Sequence, residues 1–160
     1  MIGKDYLKKN NFIKIEEILR INVLLKFLNN KLDLIFKKSK ILSILFLRLG
    51  LGFAFTIHGV NKFPLPPEKL IEYFGFSPFL ASFIAISEVA AGITIILGGF
   101  IKNYIGNLLT RFSALIIIII MFFAFYFAHK DWFITTQLFT SEQIFLFLIG
   151  LYFLLNGNRR

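Results

Sequence analysis

The sequence predicts an all-α integral membrane protein, a four-helix transmembrane bundle preceded by a basic amphipathic helix. Three observations predict it. Of the 160 residues, 57% are hydrophobic and 18% aromatic, more apolar surface than a single water-soluble core of that length can hide. The apolar residues gather in stretches near the ~20 residues that cross a ~30 Å hydrocarbon layer. The charge is uneven: residues 1–40 hold ten of the 18 Lys/Arg against four of the nine Asp/Glu, a net +6 out of +9 for the whole chain.

Residues 1–40 form the first unit. Ile18, Ile21, Leu25, Leu28, Leu32 and Ile35 recur every three or four residues, while Glu16, Glu17, Arg20, Lys26, Asn29, Asn30 and Lys31 fall largely on other faces. This is the pattern of an amphipathic helix, too short to argue a coiled coil. It either lies in the cytoplasmic headgroup plane or binds a partner. Its charges are interleaved with apolar residues, which points to anionic lipid rather than nucleic acid.

Residues 41–160 form the membrane domain. Span one, about 41–60, carries only Arg48 and His58; span two, about 77–101, carries Glu88; span three, about 107–129, carries Arg111 and the terminal His129. Span four, about 141–156, is short. Its uncharged part, Gln143–Leu155, either borrows a first turn from Ser141 and Glu142 or sits in thinned lipid. Between spans one and two, Pro64, Pro66, Pro67 and Gly75 interrupt helix across Asn61–Phe76. Gly98 and Gly99 close span two, Lys102–Gly106 turns tightly into span three, and Lys130–Thr140 leads to span four with Trp132 at the interface.

Flanking positive charge sets the orientation. Lys26, Lys31, Lys37, Lys38, Lys40, Lys102, Arg159 and Arg160 share one side, against Lys62, Lys69 and Lys130 on the other. That distribution places both termini in the cytoplasm of a multi-pass protein of the inner (cytoplasmic) membrane. The first long apolar run begins near residue 41 with no small-residue cleavage site after it, so a cleaved signal peptide is not expected.

The chain has no cysteine, which excludes a thiol relay, a disulfide exchanger, an iron–sulfur cluster or a zinc–thiolate site within it. Its two histidines lack any ligand spacing, so no metal is expected. Ionisable groups inside the bilayer are more informative, because each costs at least ~2.5–3.5 kcal/mol at mid-depth and needs a partner or a role. Glu88 lies just past the middle of span two, on the small-residue row Ala81, Ala85, Glu88, Gly92 that lets another helix approach closely. Two arrangements satisfy it. Arg48, roughly 10 Å into span one, forms a structural ion pair with Glu88; or His58 and Lys62, four apart on one face, meet Glu88 in a polar cluster that holds a quinone head group or a small anion, or passes protons. Arg111 and His129, near span ends, reach toward headgroups.

These residues resemble the DoxX family (DoxX/DoxD-like) of small four-helix membrane proteins. Span one reads Arg48-x-x-x-Gly52-x-x-Phe55-x-x-His58-Gly59-x-x-Lys62, similar to that family's first helix. Glu88-x-x-x-Gly92 with Leu97-Gly98, then Arg111-x-x-Ala114, resemble its second and third helices, and the likeness runs on through His129, Trp132-Phe133 and Glu142. It covers about residues 44–157; the basic segment 1–40 departs from the compact family pattern. The resemblance implies a four-helix bundle in the cytoplasmic membrane. Family members include the small membrane subunit of a thiosulfate:quinone oxidoreductase and mycobacterial proteins linked to membrane redox complexes.

The resulting expectation is a membrane subunit or anchor of a redox complex, non-catalytic or co-catalytic rather than an enzyme alone. A soluble or membrane oxidoreductase is its expected partner besides the lipid bilayer, and quinone its candidate ligand; a homo-oligomer stays open. The alternative is a small proton-linked transporter or membrane-homeostasis factor using Glu88. A shared fold does not carry an activity across.

Overall fold

The computed structural model describes residues 2–37, 39–131 and 135–158. Trp132 and Phe133, which the sequence sets at the membrane interface, and the flanking cations Lys38, Arg159 and Arg160 lie outside the described residues. Among the described residues every regular element is a helix: α1 (Ile2–Phe36), α2 (Ser39–Val60), α3 (Glu68–Phe74), α4 (Pro78–Phe100), α5 (Tyr104–Ala128), α6 (Gln137–Thr140) and α7 (Glu142–Asn156). The chain divides into two compact units, Met1–Leu42 and Ser43–Arg160.

In the first unit, α1 runs unbroken for 35 residues and contains the whole Ile18–Ile35 row. Its side chains from Glu16 to Phe36 are exposed, the large apolar ones included.

Ile41–Val60, nearly all of it in the second unit, and Pro78–Phe100 and Tyr104–Ala128, wholly within it, have 20, 23 and 25 residues and are long and apolar enough to cross a membrane. The starts of α4 and α5 have local causes. The Ser77 hydroxyl accepts from the Leu80 N–H at 3.2 Å, and Pro78 occupies the first turn, where its missing N–H costs nothing. Asn103 Oδ1 accepts from the N–H groups of Ile105 and Gly106 at 3.0 and 3.2 Å. That cap starts α5 at Tyr104, three residues before the expected 107, and shrinks the turn, so Gly106 is helical rather than a loop residue. The segment between α2 and α4 also holds a short helix: Pro67 occupies the N-cap position of α3, which stops where Gly75 turns left-handed at φ 66°.

The last apolar helix, α7, has 15 residues, roughly 22 Å of helix, short of the ~30 Å hydrocarbon core. It nevertheless shares the core. Phe153 and Leu146 of α7 pack with Leu51 and Phe55 of α2, Ala91 and Ile95 of α4, and Ala114, Ile117, Met121 and Phe125 of α5. α4 packs along α5, and α5 along α7. The contact of α2 with α4 is backbone-close: a Cβ at Gly92 would stand 2.6 Å from the Gly52 carbonyl oxygen and 2.7 Å from the Thr56 nitrogen. Only a residue without a side chain fits there.

Candidate functional site

The site begins with a buried carboxylate. On α4 the buried positions are Ala81, Ala85, Glu88, Ala91, Gly92, Ile95 and Gly98, so the small-residue row read from the sequence is the face that packs inward, with Glu88 at its centre. α2 delivers the partner. It ends at Val60, and the Lys62 N–H donates to the Gly59 carbonyl at 3.1 Å, curling the chain back over α4. Gly59 makes this approach sterically allowed, since a Cβ there would meet Val89 N at 2.8 Å and Ala85 O at 2.9 Å. Lys62 Nζ then donates to Glu88 Oε2. The Glu88 side chain is 5% exposed and that of Lys62 is 23% exposed; taking both charges out of water is costly, and their mutual attraction offsets that cost at least in part.

The pair lines one wall of a cavity of about 660 Å³ whose remaining surface is almost wholly apolar. α3 supplies Leu70 and Phe74, α4 supplies Leu80, Phe83, Ile84 and Ser87, and α5 supplies residues from Phe112 to Ala128. At the end near the α2–α4 connection an aromatic cluster lines the space: Phe74 to Phe76 at 5.5 Å, Phe76 edge-on to Phe127 at 5.4 Å, and Phe127 stacked on Phe123 at 6.0 Å between centroids. A large apolar cavity with a few convergent polar groups is the usual form of a small-molecule site.

The expected pair of Arg48 with Glu88 does not form. Arg48 is 4% exposed, and Nη1 donates to the Ile95 carbonyl at 2.7 Å and to Thr110 Oγ1 at 2.8 Å, while Nη2 donates to Asn158 Oδ1 at 2.8 Å. Its guanidinium also lies over the Phe153 ring at 4.5 Å. The reason is height along α4: Ile95 lies seven residues beyond Glu88, roughly 10 Å of helix, and the neutral acceptors at that level satisfy the cation. The three-residue cluster is also divided. His58 and Lys62 were expected to share a helical face, but the helix ends between them, so that relation lapses. Lys62 turns to Glu88, and His58 faces Glu142 at the start of α7, 3.3 Å away, with both side chains largely in the open.

Arg111 does not reach outward. Its Nη1 and Nη2 donate to the carbonyls of Leu154 and Leu155 at 2.7 and 3.0 Å, capping the C-terminal end of α7, where a cation also favours the helix dipole. His129 is the C-cap of α5, and burial holds its pKa below the usual histidine value.

Sequence reasoning missed Asn158. Its Nδ2 donates to the Gly98 carbonyl at 2.7 Å, its Oδ1 accepts from Arg48 and Thr110, and its N–H donates to Asn107 Oδ1 at 2.9 Å. One residue thereby ties the segment after α7 to α2, α4 and α5. A signal existed: Gly157 follows the last apolar helix, the position of a helix-ending glycine, and it has φ 59°. Thr110 and Ser113, both buried, were likewise readable as small polar residues on a span.

Compared with known proteins, the chain matches the family model described as DoxX over residues 43–130. That stretch holds Arg48, His58, Lys62, Glu88, Arg111 and His129, and stops short of Glu142 and Asn158. No curated protein and no solved structure matches.

Proposed function

Because the chain belongs to the DoxX family and carries three helices long and apolar enough to cross a membrane, we propose that it is a membrane subunit that anchors a redox partner and binds quinone at the Lys62–Glu88 cavity. The observation that carries this reading is the ion pair on the wall of an otherwise apolar space of about 660 Å³, within the ~300–1,000 Å³ of small-molecule pockets. A quinone carbonyl accepts from the Lys62 ammonium, a quinol hydroxyl donates to the Glu88 carboxylate, and the phenylalanines receive the ring. The pair carries no net charge, so a fatty-acid or phosphate head group would confront Glu88 and a cationic one Lys62. In this reading the chain is non-catalytic or co-catalytic, and electrons pass between the quinone and an oxidoreductase partner.

In this reading residues 41–160 are a four-helix bundle in the cytoplasmic membrane. α7 is the fourth span, both termini are cytoplasmic, and residues 1–40 are a basic amphipathic segment at the inner headgroups. The core shared by α2, α4, α5 and α7 supports the bundle, and the flanking lysines support the orientation.

Quinone titrated into the purified protein in nanodiscs tests the site. Lys62→Met and Glu88→Gln should each weaken Kd by about tenfold, the value of one charge-assisted hydrogen bond. Equal binding by the wild type and the double variant would overturn the proposal. The proton-linked transporter rests on the same buried carboxylate; proton flux in quinone-free proteoliposomes that disappears in Glu88→Gln would favour it instead.

A further inference from the structure

From the ion pair and its cavity alone, independently of the quinone, we infer that Lys62 is a covalent capture site for apolar aldehydes, held as a protonated imine against Glu88. Among the described residues Lys62 supplies the one amine on the cavity's lining. Its Nζ touches a carboxylate whose side chain is 5% exposed, and its own side chain is 23% exposed. With Ser87 these are the polar side chains of a surface otherwise built from Leu, Ile, Ala and Phe. A lysine set in apolar surroundings beside a proton acceptor is suited to imine formation, which a fully hydrated surface ammonium is not.

The step is a condensation with no change of oxidation state. The Lys62 ammonium passes one proton to Glu88, the group it touches, and the freed nitrogen attacks the aldehyde carbon to form a C–N bond. A second proton moves from nitrogen to the former carbonyl oxygen. Glu88 then returns its proton to that oxygen, the C–O bond breaks and water leaves, so aldehyde and ammonium have become iminium and water with Glu88 ionised again. Charge selects this chemistry. The iminium keeps a cation where the ammonium stood, whereas an acyl donor would turn Lys62 into a neutral amide and strand the buried carboxylate. The lining favours an aldehyde with a hydrocarbon body over a water-soluble one, and it offers few polar partners to hold the water that would hydrolyse the product.

The test uses the full chain in phosphatidylcholine nanodiscs, with tetradecanal as probe and sodium cyanoborohydride to fix the iminium as a secondary amine, mapped by peptide mass spectrometry. Lys62 should be alkylated ahead of the exposed Lys69, Lys102 and Lys130. Its initial rate should fall about a hundredfold in Glu88→Gln, the low end of what a positioned acid–base group contributes. A carboxylate that served only as a structural partner would leave the freed amine as reactive or more so, and that result overturns the inference. Ile84→Trp, which fills the cavity from α4 without altering the pair, should lower the Lys62 label and leave the Lys102 label unchanged; an undiminished Lys62 label places the reaction outside the cavity and overturns it. Propanal and the succinimidyl ester of tetradecanoic acid should show no preference for Lys62. A preference with either identifies a merely accessible amine, and equal tetradecanal labelling of all four lysines identifies surface chemistry; each outcome overturns the inference.

Discussion

Removing the two members of the Lys62–Glu88 pair should have unequal consequences, because the two are not equally enclosed. Lys62→Met keeps the chain's length and deletes its charge, leaving a carboxylate only 5% exposed on the inward face of α4 with no cation beside it. Breaking a buried pair from that side costs about 3–5 kcal/mol. Glu88→Gln is milder. Lys62 is 23% exposed and stands in the turn after α2, so its ammonium can move toward the interface or donate to the glutamine oxygen, a loss of about 1 kcal/mol. The double variant places an amide beside a thioether, with no stranded charge, and should be no less stable than Lys62→Met alone. Relative to the sum of the single losses, it should recover at least the Glu88→Gln loss, about 1 kcal/mol or more, as coupling energy. The assay is reversible unfolding of the four proteins in mixed micelles, followed by circular dichroism. Equal losses in the two single variants, or additivity within about 0.5 kcal/mol, would refute the reasoning.

Further outcomes follow from the same geometry. Arg48→Gln and Glu88→Gln should add within about 0.5 kcal/mol, since the two residues share no partner and lie at different heights; measurable coupling in the same unfolding assay would restore the pair expected from the sequence. Gly92→Ala should cost about 1–3 kcal/mol by driving a methyl into the backbone of α2, whereas Gly50→Ala, with nothing within 4 Å of the added carbon, should be neutral or stabilise by up to about 1 kcal/mol; melting temperatures in detergent separate them. Asn158→Ala should lower stability by about 2 kcal/mol, since it takes a partner from Arg48, Thr110 and the Gly98 carbonyl at once. Reporter fusions after residues 40 and 160 should report the cytoplasm and one near Glu68 the outside; opposite sides for the first two would show that α7 does not cross.

Much of this was legible without coordinates. Three spans stood out because a helix must expose about 20 apolar residues to lipid, and their positions agree with the helices to within three residues. The DoxX likeness was readable from motif order alone. The row Ala81, Ala85, Glu88, Gly92 identified the packed face of α4, because a helix's period relates those positions before any neighbour is known.

Which cation meets which carboxylate was a different matter. Sequence spacing predicts neighbours only within one helix, and it failed for His58 and Lys62 because the helix ended between them. Arg48, Thr110, Asn107 and Asn158 come from separate elements, and Lys62 meets Glu88 across a close approach made possible by Gly59. The sequence by itself determined the class of protein, the spans and the buried face of α4, since local hydropathy and helical period suffice for these. Only the tertiary structure decided that Lys62, not Arg48, pairs with Glu88, and that the pair opens onto an apolar cavity. Both depend on the relative heights of packed helices, which no pattern within a single helix encodes.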